Sequence, residues 1–141
     1  MYEHVTKILY SVETVALFMH INPDADCVGS SLAMYKYLTN LGKKVDVFLE
    51  PTEEIRDNIY ILPNIDVINS TSPSSHYDLG ITLDCASPTR LGKKMLKILN
   101  THCEITISFD HHKSYSKFTD ILILDANSAS TTQILYKFFK E

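Results

Sequence analysis

The sequence predicts an α/β fold: an open, mostly parallel sheet with helices on both faces. Three observations point there. A near-continuous apolar run at 14–20 suits a strand buried on both sides, and further strand segments stand at 78–83, 104–109 and 121–124. Segments with helical spacing of apolar residues alternate with these runs, as in successive βα units. Finally, His and Asp residues stand at the C-terminal ends of the runs, the edge at which open α/β sheets bind ligands.

The elements follow in order. Residues 3–11 read as a short helix, with Val5, Ile8 and Leu9 at helical spacing. Residues 14–20 are the first strand. A helix is expected over 29–41, where Met34, Tyr37, Leu38 and Leu41 repeat at i, i+3, i+4 and i+7 and Gly42 suits a C-terminal cap. Residues 44–49 form the next strand, and 53–62 read as a short helix stopped near Pro63. The Ser/Thr-rich stretch 69–75 is a polar loop. A strand over 78–83, a helix over 89–99 and strands over 104–109 and 121–124 come next. The last helix spans 128–140, with Thr131, Ile134, Leu135 and Phe138 on one face and Asn127 or Ser128 as N-cap. Phe139 falls off that face, which hints at packing against something outside the chain.

A chain of 141 residues suits one domain with a full core. Hydrophobic residues make up 45% and charged residues 21%, a soluble globular composition. The formal net charge of −4 and the lack of a basic stripe argue against a grip on long nucleic acid. The nearest candidates for such a stripe, Lys43, Lys44, Lys93, Lys94 and Lys97, read as solvated helix ends and faces. Bound divalent cations would reverse the local sign at an acidic cluster, so a phosphate substrate stays open. Cys27, Cys85 and Cys103 are odd in number and lack zinc-type spacing; they read as reduced small hydrophobes in a cytoplasmic protein. The N-terminus has no basic n-region of a signal peptide, and no apolar run approaches the ~20 residues that span a bilayer.

The chemistry concentrates in three places. The first is His20-Ile21-Asn22-Pro23-Asp24-Ala25-Asp26-Cys27-Val28-Gly29-Ser30, directly after the first strand. In an extended segment Asp24 and Asp26 would point to the same side, and Pro23 would stiffen the loop that holds them. The second is Leu83-Asp84, and the third Phe109-Asp110-His111-His112. Asp125 ends a fourth strand. Taken singly, Asp24 or Asp26 would serve as an N-cap or Asx turn, Asp84 as a loop cap, and a histidine as a satisfied core residue. Taken together on strand ends, these residues point to two bound metal ions, since hard cations take carboxylates and manganese also accepts imidazole. If Asp84 bridged two cations about 3.5–4 Å apart, a water between them would ionise near neutral pH and attack a phosphoester. Dinucleotide binding is disfavoured, because the first strand–helix turn lacks G-x-G-x-x-G and offers two carboxylates to a pyrophosphate.

These motifs resemble those of the DHH phosphoesterase superfamily, in particular its nanoRNase-type oligoribonucleases, which also act as phosphatases on 3′-phosphoadenosine 5′-phosphate. The likeness rests on 20–30, on Leu83-Asp84-Cys85-Ala86-Ser87, on Asp110-His111-His112 followed by Phe118, and on the Ser/Thr-rich segment 125–132. It covers nearly the whole chain. The resemblance implies one Mn²⁺ held by His20, Asp24 and Asp84 and a second held by Asp26, Asp84 and His111, with Mg²⁺ or Co²⁺ as substitutes. It implies Asp110 as the residue that orients the imidazoles and His112 as a contact to the substrate phosphate. Expected substrates are short oligonucleotides, cyclic-dinucleotide products or phosphorylated nucleosides; a homodimer and a cytoplasmic location are further expectations, with no membrane partner. The family carries a further metal-binding Asp beyond 125–132 and a C-terminal substrate-binding domain. On that reading residues 1–141 are the DHH catalytic domain alone, truncated, with the second metal site one ligand short and weak or no turnover by this fragment. The alternatives are a pyrophosphatase or polyphosphatase of the same superfamily, or a non-catalytic metal- or nucleotide-binding remnant.

Overall fold

The computed structural model describes residues 2–69, 73 and 76–141. The chain opens with helix α1 (Glu3–Ser11) and strand β1 (Thr14–Phe18), followed by α2 (Ala25–Asn40) and β2 (Lys44–Phe48). The short strand β3 (Ile68–Asn69) and then β4 (Tyr77–Leu83) come next. Two helices in tandem, α3 (Pro88–Leu91) and α4 (Lys93–His102), lead to β5 (Cys103–Asp110), β6 (Ile121–Leu124) and α5 (Thr131–Phe138). The strands form one six-stranded sheet in the order β3-β2-β1-β4-β5-β6. Every pairing is parallel. The expected open parallel α/β fold is therefore the observed one.

Side-chain alternation along the strands builds two cores. Val15 and Leu17 of β1 join Leu79, Ile81 and Leu83 of β4 on the face covered by α1, α2 and α5. Ala16 and Phe18 point the other way, toward Leu91, Met95, Ile98 and Leu99 of α3 and α4. Burial on both faces explains why β1 reads as an unbroken apolar run. Gly80 lies where α4 presses closest on β4: a Cβ there would sit 2.7 Å from Cys103 Sγ and 2.8 Å from Leu99 Cδ1. Between β4 and β5 a buried polar rung, Thr82 Oγ1 to Ser108 Oγ at 2.8 Å, joins register partners.

The strand order reverses between β1 and β4. From β1 the chain runs outward through β2 and β3, then returns to the other side of β1 and runs outward again through β4, β5 and β6. At such a switch point the loops after the two central strands diverge and leave a crevice. The residues following β1 and β4 are those expected to carry the chemistry.

Several boundaries differ from expectation, each for a physical reason. Helix α2 begins at Ala25, four residues earlier than the apolar periodicity suggested, because Asp24 caps it by accepting the Cys27 N–H at 2.9 Å. Asp24 and Asp26 are thus a cap and a first-turn residue, not neighbours in an extended segment. The helix expected over 53–62 is reduced to a 3₁₀ turn at Asp57–Ile59, with a second at Ile65–Val67. Ile59 is the one buried residue of the first turn, too little packing to hold a helix of that length. Gly92, at φ 90°, breaks the helix expected over 89–99 into α3 and α4. The Glu50 carboxylate then accepts the Lys94 and Met95 N–H groups at the start of α4. The last helix starts at Thr131, with Ser130 as N-cap in place of Asn127 or Ser128. Phe139 stacks on Tyr37 at 4.4 Å, so its partner lies within the chain. The expected polar loop 69–75 falls almost wholly outside the described residues. No helix among the described residues is long and apolar enough to cross a membrane.

Candidate metal centre

Asp84 sits at the centre of the crevice. Its N–H donates to the Phe109 carbonyl at 3.0 Å, one step beyond the last rung of β4. The backbone then turns to φ 60°, a left-handed conformation uncommon for a residue with a side chain. The carboxylate is only 2% exposed and lies between two imidazoles: Oδ2 is 3.6 Å from His20 Nε2 and Oδ1 is 3.4 Å from His111 Nε2.

Both rings are oriented by backbone carbonyls. His20 Nδ1 is 2.6 Å from the Ile21 carbonyl and His111 Nδ1 is 3.3 Å from the Ser128 carbonyl. A carbonyl only accepts, so each Nδ1 carries a proton and each Nε2 is left with a lone pair facing carboxylates. That is the arrangement of a metal-binding histidine, its far nitrogen fixed by a hydrogen bond. Asp24 Oδ1 lies 3.9 Å from His20 Nε2, and Asp26 Oδ2 lies 3.7 Å from His111 Nε2.

Two sets of ligand-type atoms lie mutually within 4.8 Å: His20, Asp24 and Asp84 on one side, Asp84, His111 and His112 on the other. The first set is the trio named from the sequence. The second contains His112 where Asp26 was named. Asp26 is close by, yet both its oxygens accept hydrogen bonds from the start of α5: Thr131 N–H at 2.8 Å, Thr132 N–H at 2.9 Å and the Thr132 hydroxyl. Thr131 Oγ1 donates to Asp84 Oδ1 at 2.9 Å.

Asp110, 0% exposed, accepts the His112 ring Nδ1–H at 2.6 Å and the amides of His111 and His112 at 2.8 and 3.3 Å. It therefore orients one ring, His112, and leaves His20 and His111 to the carbonyls. The second Asp110 oxygen is buried without a hydrogen-bond partner among the described residues. Asp125 does not join the cluster: it accepts from Ser128 Oγ, the Asn127 amide and Lys137 Nζ in a turn before α5.

The electrostatics suit a cation. Burial, together with the Asp26 and Asp24 charges, raises the Asp84 pKa against the pull of His20 and Thr131. For Asp26, burial is outweighed by the Thr132 hydroxyl and the Thr131 and Thr132 amides, and the pKa falls. For His20, burial is outweighed by Asp84 and the Ile21 carbonyl, and the pKa rises. Asp24 and Asp26 crowd buried Asp84, the three carboxylates repel one another, and a divalent cation that accepts both carboxylate and imidazole donors relieves that repulsion. The two thiols near this cluster are inert by contrast: burial pushes Cys27 well up and Cys85 to about 12.

Comparison with known proteins finds a family match. The family model "DHH family, N-terminal domain" matches residues 14–141. The chain belongs to the DHH family. As a DHH domain it is 28% identical over 137 residues to the bifunctional oligoribonuclease and PAP phosphatase NrnA of Thermus thermophilus, covering 93% of this chain and 38% of the relative. The Bacillus subtilis protein of the same name is 24% identical over 136 residues, covering 92% of this chain and 39% of that protein. The chain thus spans about two fifths of the length of these relatives. In fold, the DHH domain is similar to the crystal structure of an exopolyphosphatase-related protein from Bacteroides fragilis, with a TM-score of 0.86 at 24% identity over 96% of this chain and 41% of that one.

The Thr131 and Thr132 contacts are what sequence reasoning passed over residue by residue. The one available signal is the run Ser128-Ala129-Ser130-Thr131-Thr132, which reads as a helix start and as part of the family likeness, with no contact assigned to either threonine.

Proposed function

We propose that this DHH domain is a manganese-dependent phosphoesterase centre hydrolysing short oligonucleotides or phosphorylated nucleosides. The observation that carries the reading is Asp84, buried between two imidazole Nε2 atoms at 3.6 and 3.4 Å, each imidazole held by a carbonyl on its other nitrogen. His20, Asp24 and Asp84 would hold one cation; Asp26, Asp84 and His111 would hold the other. When bound, such cations supply Lewis acidity, activating a water and neutralising phosphate charge.

The side chains do the rest. Thr131 fixes one Asp84 oxygen and keeps the carboxylate aimed between the two rings. Asp110 fixes the His112 tautomer through Nδ1, leaving Nε2 as the ring atom free to meet substrate. His112 is 40% exposed, the most accessible of the three histidines. Backed by buried Asp110, its Nε2 edge would meet a phosphate oxygen and stabilise charge as it develops. The NrnA relatives support oligonucleotides and phosphonucleosides as the substrate class.

The test is manganese-dependent hydrolysis of a dinucleotide by the protein that contains this domain, run beside pyrophosphate. Dinucleotide turnover that disappears in Asp84→Ala supports the reading. Turnover unaffected by that change, or confined to pyrophosphate, refutes it.

A further inference from the structure

The chain has two arginines, Arg56 and Arg90; its other Lys/Arg positions are all lysines. Both arginines attach to the 20–24 loop. Arg56 Nη2 donates to Asn22 Oδ1 at 3.1 Å. Arg90, in α3, accepts the Ile21 N–H on its backbone carbonyl at 2.7 Å, which locks the base of the side chain to the loop. Its Nη2 reaches to 3.2 Å from His20 Nδ1.

That last contact is not a satisfied hydrogen bond. His20 Nδ1 already faces the Ile21 carbonyl at 2.6 Å and must bear the proton there. A guanidinium only donates, so the ring offers it no acceptor. Among the described residues the Arg90 side chain has no carboxylate partner, although acidic groups line the crevice. Arg90 is exposed. A guanidinium held at the rim of an acidic centre, with its donor fork free, matches a phosphate oxyanion, which accepts two parallel N–H bonds. Arg56, bound to Asn22, adds positive potential to the same loop.

Position decides which phosphate. His20 turns Nε2 toward Asp24 and Asp84, and Arg90 lies at Nδ1, on the ring edge away from those carboxylates. A phosphate attacked at the carboxylates would lie at the opposite ring edge from Arg90. We propose that Arg90 anchors a second phosphate of the substrate, adjacent to the one under attack. The inference rests on the phosphoesterase reading above and selects, within that class, substrates carrying two phosphates over those carrying one.

Calorimetric titration of this chain with manganese comes first, then, in its presence, titration with a dinucleotide whose linkage is a non-hydrolysable phosphonate, with and without a 5′-phosphate. The expected result is a preference of tenfold or more for the 5′-phosphorylated ligand in the unaltered chain. Arg90→Gln removes that preference, Arg90→Lys keeps part of it, and Lys97→Gln, an equal charge loss on α4, leaves it intact. Manganese binding is the same in all four proteins. No preference in the unaltered chain, a preference that survives Arg90→Gln, or an equal loss in Lys97→Gln overturns the inference. Failure of the unaltered chain to bind manganese overturns the reading beneath it, and is seen before any nucleotide is added.

Discussion

Thr132 donates its backbone N–H to Asp26 Oδ1 across 2.9 Å, tying the first turn of α5 to the first turn of α2. The two residues are 106 positions apart, and the Thr131 amide fills the other Asp26 oxygen at 2.8 Å. A carboxylate at a helix N-terminus is favourable for both hydrogen bonding and the helix dipole. Asp26→Ala should therefore cost about 1–3 kcal/mol by leaving two amides without their partner. Thr132→Val, which keeps the amide, should cost about 1 kcal/mol or less. Urea unfolding of the two variants checks the order; equal costs would show that the amides contribute nothing.

Asp84 should be a site where stability and function oppose each other. Its raised pKa, caused first by burial and then by Asp26 and Asp24, means that ionising it destabilises the metal-free fold near neutral pH. Asn tolerates the φ of 60° and carries no charge. Asp84→Asn should raise the melting temperature of the metal-free protein by about 2–4 °C for each kcal/mol relieved. In the same variant hydrolysis should fall by on the order of 10³-fold or more. A lower melting temperature for the metal-free variant would mean that the Thr131 hydrogen bond outweighs the charge repulsion.

Acid should loosen the protein at two carboxylates outside the metal-type cluster. The Thr14 and Glu13 amides hold Asp78 below its ordinary value of 3.8. The Ser128 hydroxyl and Lys137 draw Asp125 down to about 2. A depressed folded pKa contributes stability that is fully present above the unfolded value of 3.8 and is lost as pH falls through the folded value. Melting temperature should decline over that interval, and Asp78→Asn should flatten part of the decline. A variant as acid-sensitive as the parent would assign the effect elsewhere.

Gly80→Ala should destabilise by about 1–3 kcal/mol, the cost of overpacking a filled core. The added methyl would lie 2.7 Å from Cys103 Sγ and 2.8 Å from the buried Leu99 side chain. Pairing it with Cys103→Ala should recover part of the loss, which chemical denaturation of the two proteins measures. Strictly additive costs would show that the clash is with Leu99 alone.

The first strand was legible because burial on both faces leaves an unbroken apolar run at 15–19, and the fifth because Ile105, Ile107 and Phe109 alternate with Glu104, Thr106 and Ser108. The carboxylate and imidazole positions were legible because they cluster at strand ends. Other features depend on long-range contacts that no local window contains. Asp26 reads as a free ligand until α5 is placed against it, and the Ser/Thr run before α5 reads as a cap until Thr131 and Thr132 meet Asp84 and Asp26. The start of α2 lies earlier than the apolar periodicity marks it, because Asp24, which reads as an N-cap as well as a ligand, caps the helix ahead of its first periodic residue. The helix expected at 53–62 failed for the opposite reason: periodicity was present, but too little of the core reaches it.

Asp24 accepts the Cys27 amide and Asp26 accepts two amides of α5, so two of the carboxylates facing the crevice also terminate helices. A cation that departs leaves these side chains still tethered, with helix ends to offset their charge. Reloading then requires little rearrangement, and exchange of one divalent ion for another should run at a rate set by desolvation of the ion, not by refolding of the loops.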